Sequence, residues 1–88
     1  MATKPPAKVK EYLENSLEKI AYESVKEIPT VEPNDAYRLG YNIFQCLSKK
    51  EIKLKEAIKL SSARMLISED EAYKKISDYL LSRGIKTD

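Results

Sequence analysis

The stretch from Ala36 to Leu47 constrains the fold of this chain most, because Arg38 is its only charged residue in a sequence that is 34% charged. Wound as an α-helix, the stretch gathers its apolar side chains into one broad arc. Its members are Ala36, Leu39, Gly40, Ile43, Phe44 and Leu47, with Tyr37, Tyr41 and Cys46 at the margins. An arc this wide needs cover on more than one side. We therefore predict that it forms the most buried helix of the protein.

The residues before this stretch predict a first helix and a stiff connector. Apolar positions recur at helical spacing over about residues 8–27, and Tyr22 falls nearly opposite that apolar face. Pro29 and Pro33 interrupt the helix, because each disfavours helical geometry in the residue before it. The second helix is then expected over about residues 34–47. Gly40 inside it predicts the close approach of a neighbouring helix.

Two capping boxes predict the remaining helices. Ser48-Lys-Lys-Glu51 places a cap and its partner Glu three residues apart, which predicts a third helix over about residues 49–65. Ser68-Glu-Asp-Glu71 has the same form and predicts a fourth helix over about residues 69–83. Gly84 should end that helix in a Schellman-type turn, with Ile85 folding back on Leu80.

These elements predict a single all-α domain over residues 8–85, arranged as a four-helix bundle or an orthogonal helical array. Residues 1–7 contain Pro5 and Pro6 and are expected to be a flexible lead-in, while residues 86–88 are expected to fray. A chain of 88 residues has room for one modest core.

Composition argues against an enzyme. The chain has no histidine, which removes the usual general base and the commonest neutral metal ligand. The lone Cys46 lies on an apolar face and is expected to be a small core residue. Ser61 and Ser62 have no histidine to activate them, and no glycine-rich phosphate loop is present. We expect no cofactor, no metal and no catalytic residue.

Several features predict a cytoplasmic protein that does not bind or span a membrane. No apolar run reaches the length of a membrane span, and residues 1–8 lack the apolar core of a secretory signal. Abundant Lys, Glu, Ile and Tyr with a single glutamine, Gln45, resembles the composition of small hyperthermophilic archaeal proteins. The formal charge of +2 is too small to indicate a nucleic-acid partner by itself.

The last third of the chain resembles a helix-turn-helix motif. Ala63, Ser68, Tyr73 and Ile76 are similar to that motif in type and spacing, with a very short turn around Leu66-Ile67. The stretch Ser82-Arg83-Gly84-Ile85 is similar to the segment that follows recognition helices in winged-helix proteins. The resemblance implies DNA recognition by the fourth helix. However, Glu69, Asp70 and Glu71 open that helix and would repel phosphates, whereas helix capping explains them equally well.

Two surfaces are candidates for recognition. Tyr22, Val31 and Leu81 fall outside the predicted buried faces and would form a protein interface if they met in one patch. The candidate nucleic-acid contacts are Lys49, Lys50, Lys53, Lys55, Lys59 and Arg64. We expect a non-enzymatic accessory subunit or adaptor that docks onto a larger protein assembly. The alternative is a nucleic-acid-binding protein that uses the last two helices and these cations. The partner and the oligomeric state stay open.

Overall fold

The protein is all-α over the part of the chain that the computed structural model describes, residues 16–87. Helix α1 covers residues 16–24 there and passes into a short 3-10 helix, Val25–Glu27. Three further helices follow: α2, Pro33–Lys49; α3, Leu54–Ser61; and α4, Glu69–Ser82. The predicted lead-in over residues 1–7, the start of the first helix near residue 8 and the last residue lie outside the described part.

The core forms where α3 packs against both α2 and α4, while the 3-10 helix contacts α2 and α4. Each of the helices α2, α3 and α4 contributes two large, fully buried side chains. These are Leu39 and Ile43 from α2, Leu54 and Ile58 from α3, and Ile76 and Leu80 from α4. Helix α2 has six buried residues, more than any other described helix, as its apolar arc predicts. None of the helices in residues 16–87 combines the length and hydrophobicity needed to cross a bilayer.

The predicted third helix was wrong at both ends. Ser48 is not a cap: α2 continues through it to Lys49, because Leu47 on the same turn is buried in the core. Lys50 then ends the helix with φ 59°, and its N–H donates to the Cys46 carbonyl at 3.0 Å. Helix α3 begins only at Leu54 and stops at Ser61, where Ser62 takes φ 54°. The connector over residues 62–68 is therefore longer than the very short turn that was expected.

The first residue of α4 was predicted correctly, and its last residue, Ser82, lies one residue before the predicted end. Ser68 Oγ accepts a hydrogen bond from the Glu71 N–H at 3.1 Å, as the capping box requires. At the other end Gly84 has φ 81°, which suits glycine. The Ile85 N–H donates to the Leu80 carbonyl and the Gly84 N–H to the Leu81 carbonyl, each at 2.9 Å. This pair of bonds is a Schellman motif.

Candidate protein-interaction surface

Tyr22 crosses from α1 onto α2 and lies over Gly40. A β-carbon added to Gly40 would stand 2.6 Å from Tyr22 Cε1, which is too close for any real side chain. Gly40 therefore makes room for a side chain of a neighbouring helix, where the sequence predicted the close approach of the helix itself. Tyr22 itself is only partly exposed, because α2 covers the side of α1 that lies opposite its predicted apolar face. The helical wheel of α1 cannot show that α2 supplies cover from that side.

Tyr22 also stacks on Tyr37 of α2, with ring centroids 5.6 Å apart and ring planes inclined at 24°. Tyr37 is 65% exposed and Tyr41, one helical turn further along α2, is 48% exposed. We call Tyr22, Tyr37 and Tyr41 the tyrosine patch. Stacked aromatic rings with exposed faces offer a partner a large contact area at low cost in side-chain entropy.

Sequence reasoning placed Tyr37 and Tyr41 at the margins of the buried face, whereas both are exposed. The angular position of Tyr41 around the helix could have predicted its exposure. Tyr41 precedes Ile43 by two residues, which is about 200° around an α-helix. Ile43 is fully buried, so Tyr41 faces away from the centre of the core.

A cleft of about 430 Å³ adjoins the patch, and we call it the tyrosine cleft. The cleft is lined by Tyr22, Tyr37 and Val31. Its other described lining residues come from the 3-10 helix, the connector before α2 and the start of α2: Val25, Lys26, Ile28, Thr30, Pro33 and Ala36. Two of the three residues predicted for a protein interface, Tyr22 and Val31, therefore meet here. Leu81 lies on α4, is 58% exposed and does not line this cleft.

The connector that forms one side of the tyrosine cleft contains a strained residue. Thr30 lines the cleft with φ 55°, a left-handed conformation that a β-branched residue rarely adopts. Val31 follows it directly and packs against the core as a partly buried side chain. Strain of this kind persists only where the surrounding structure imposes it, and it concentrates at ligand-binding sites.

Within the tyrosine patch, Tyr22 has a pKa that is shifted by its surroundings. Partial burial raises the pKa of Tyr22 above its ordinary value of 10.0, because the phenolate would lose hydration. The phenol of Tyr37 raises it further, and the carboxylate of Glu18 and the phenol of Tyr41 act in the same direction. Tyr22 therefore stays a neutral phenol at physiological pH.

A hydrogen-bonded cluster holds the start of α2, and with it Tyr37, in place. The buried Asp35 carboxylate accepts hydrogen bonds from the Arg38 guanidinium and, at 3.4 Å, from the Arg64 backbone N–H. Arg38 Nε also donates to the Ser61 carbonyl at 3.1 Å. These bonds join the first turns of α2 to the end of α3 and the connector behind it. The sequence analysis did not predict this cluster.

The six predicted nucleic-acid contacts do not form one stripe. Lys49 and Lys50 lie at the carboxyl end of α2 and Lys53 just before α3, whereas Arg64 lies beside Asp35 at the amino end of α2. Asp35 and Lys49 lie near opposite ends of α2, and the rise of about 1.5 Å per residue places them about 21 Å apart. Arg64 is therefore far from the lysines at the carboxyl end of α2. Lys55 pairs with Asp70 on α4, with Nζ 3.1 Å from Oδ1, and Lys59 is exposed in the last turn of α3.

Residues 16–87 bring together no group of three or more His, Cys, Asp or Glu side chains that could hold a metal ion. Cys46 is buried against the core, as expected of a structural cysteine. Across known proteins, neither a family model, nor a curated sequence, nor a solved structure matches this chain.

Proposed function

We propose that this protein is a non-enzymatic interaction module, an accessory subunit or adaptor, which docks onto a protein partner through the tyrosine patch and the tyrosine cleft. The observation that carries the proposal is the stacked pair Tyr22–Tyr37 at the edge of an apolar cleft. Tyrosine is enriched among the residues that dominate binding energy at protein interfaces. Here the rings are already ordered before binding, which lowers the entropic cost of association.

The surroundings of the patch favour a protein over a nucleic acid. Lys26 is the only cation among the described residues that line the tyrosine cleft. Glu18 acts on the Tyr22 phenol from the same side of α1. A surface that binds single strands by stacking needs a run of cations along its aromatic residues, because the phosphate backbone supplies most of the affinity. A protein partner requires an apolar centre with few charges, which this patch provides.

Photo-crosslinking in the native cell tests the proposal. Benzoylphenylalanine placed at Tyr41 is expected to capture one protein species, and the same probe at Leu66 is the matched control. Leu66 is 76% exposed and lies in the connector before α4, outside the tyrosine patch. The captured protein is then purified and its affinity is measured against wild type, Tyr41→Ser and Leu66→Ser.

Loss of about tenfold or more in affinity with Tyr41→Ser, and less than about twofold with Leu66→Ser, is the expected result. Equal capture from both positions, or equal affinities of both variants, contradicts the proposal. A mobility shift of duplex DNA or RNA that weakens steeply with salt, and is unaffected by Tyr41→Ser, supports the nucleic-acid alternative instead.

A further inference from the structure

A second cleft, of about 800 Å³, lies at the carboxyl end of α2, away from the tyrosine cleft at its amino end. Its apolar surface comes from α1, the end of α2 and the segments that follow α2 and α4. The residues are Leu17, Cys46, Leu47, Ile52 and Ile85. Its volume falls within the range of small-ligand and peptide pockets, and its lining is mainly apolar with a few polar groups. We call it the lysine cleft.

Positive charge surrounds this apolar surface. Lys50, Lys53 and Lys86 line the lysine cleft, against Glu51 as the only carboxylate among its described lining residues. Lys50 and Lys53 belong to the turn between α2 and α3, whereas Lys86 follows α4, so the cations belong to two separate chain segments. An occupant that matches this pattern carries several negative charges at separate positions around an apolar centre.

A hydroxyl group adds a specific polar feature. Thr87 Oγ1 is buried in the wall of the lysine cleft and has no hydrogen-bond partner among the described residues. A buried hydroxyl without a partner costs free energy that a bound acceptor would recover. A carboxylate oxygen or a backbone carbonyl entering the cleft would supply that acceptor.

We propose that the lysine cleft binds a peptide segment of a partner protein that presents apolar side chains flanked by carboxylates. A fatty acid would use one cation for its single carboxylate, whereas the lysines here lie on two segments. A nucleic acid would need bases stacked on aromatic rings, and none of the described lining residues is aromatic. The cleft shares no described lining residue with the tyrosine cleft, so this inference stands independently of the function proposed above.

The test is selection from a display library of random linear peptides on the immobilised full-length chain. The selected peptides are expected to combine Asp or Glu with Leu, Ile or Phe. Their affinity is then measured for wild type, for Lys50→Glu with Lys86→Glu, and for Lys59→Glu with Lys75→Glu. The last pair reverses the same number of exposed charges outside the lysine cleft. Lys86→Glu alone serves as a second variant, because Lys86 is exposed and lies outside any helix, so we expect its replacement to leave the fold intact.

We expect the Lys50/Lys86 double variant to bind about tenfold more weakly, and the Lys59/Lys75 variant to differ by less than about threefold. Amide chemical shifts of residues 46–53 and 84–87 should move on binding. The proposal is overturned if no peptide is enriched, if the enriched peptides lack carboxylates, or if both double variants bind equally. It is also overturned if the shifts move only at the tyrosine patch, or if oleate competes more strongly than any selected peptide.

Discussion

The ring of Tyr22 occupies the space in which a side chain at Gly40 would stand, and the two residues belong to different helices. Gly40→Ala should therefore destabilise the protein by about 1 kcal/mol, since steric overlap outweighs the helix propensity that alanine gains. In a Tyr22→Ala background the same change should stabilise by about 0.5–1 kcal/mol, because the obstacle is gone. Urea denaturation of all four proteins, followed by circular dichroism, measures both values. An effect of the same sign in both backgrounds would show that the two residues do not compete for this space.

The Asp35 cluster should make a measurable contribution to stability. Asp35→Ala removes the acceptor of the Arg38 guanidinium and of the Arg64 N–H, which join α2 to the connector after α3. The Arg38 side chain is 50% exposed, so solvent screens part of the ion pair and we expect a loss of about 1–3 kcal/mol. Asp78→Ala, on the exposed side of α4, is the control and should change stability by less than about 0.5 kcal/mol. Equal losses from the two changes would argue against the cluster.

The two serines of the predicted capping boxes should respond differently to replacement. Ser68→Ala removes the acceptor for the Glu71 N–H and should cost about 1 kcal/mol. Ser48→Ala lies within α2 and should be neutral or slightly stabilising, because alanine is the better helix former. Thermal and urea unfolding of both variants check the pair. A comparable loss at Ser48 would restore the boundary that the structure contradicts.

Replacing Lys50 with glycine should stabilise the protein, because a φ of 59° strains any residue with a β-carbon. Lys50→Gly is expected to raise the free energy of unfolding by about 1 kcal/mol. Lys49→Gly removes the same charge one residue earlier, in the last turn of α2, and should lower it by about 0.5–1 kcal/mol. If both changes act in the same direction, the left-handed end of α2 is misplaced.

Alkaline pH should weaken the fold through Tyr22. Its pKa is raised in the folded state, so the folded protein holds this proton more tightly than the unfolded chain does. The resulting stability is fully present below the ordinary value of 10.0 and is lost as pH rises through the folded pKa. Tyr22→Phe should lose stability less steeply above that pH than wild type. Urea denaturation of both proteins across the alkaline range measures this difference, and parallel pH profiles would contradict the prediction.

The fold class was predictable because local signals and burial agreed over most of the chain. The Ser68 cap and the Gly84 turn are short-range patterns, and both hold. At Ser48 an equally good local pattern failed, because burial of Leu47 kept α2 intact through it. A capping box in the sequence is therefore not sufficient by itself to fix a helix boundary.

The site was harder to predict because it depends on contacts between distant segments. The sequence offered a patch of Tyr22, Val31 and Leu81 only as a possibility. Tyr22 and Val31 do line one cleft, but Leu81 does not line it. The ring of Tyr22 packs on Gly40 of another helix, and the periodicity of α1 contains no information about that contact. Asp35 accepts a hydrogen bond from the backbone N–H of Arg64, 29 residues away. Because every residue except proline has a backbone N–H, the sequence does not indicate which one is the donor.

Helix α2 reaches from Pro33, which lines one cleft, to the turn at Lys50, which lines the other. A continuous helix of 17 residues is about 25 Å long and bends little. Ligands held at its two ends would be kept at a set separation, as by a ruler. Lengthening or shortening α2 by a single residue would change that separation by about 1.5 Å and rotate one end by about 100° relative to the other, so distance and orientation are coupled in this molecule.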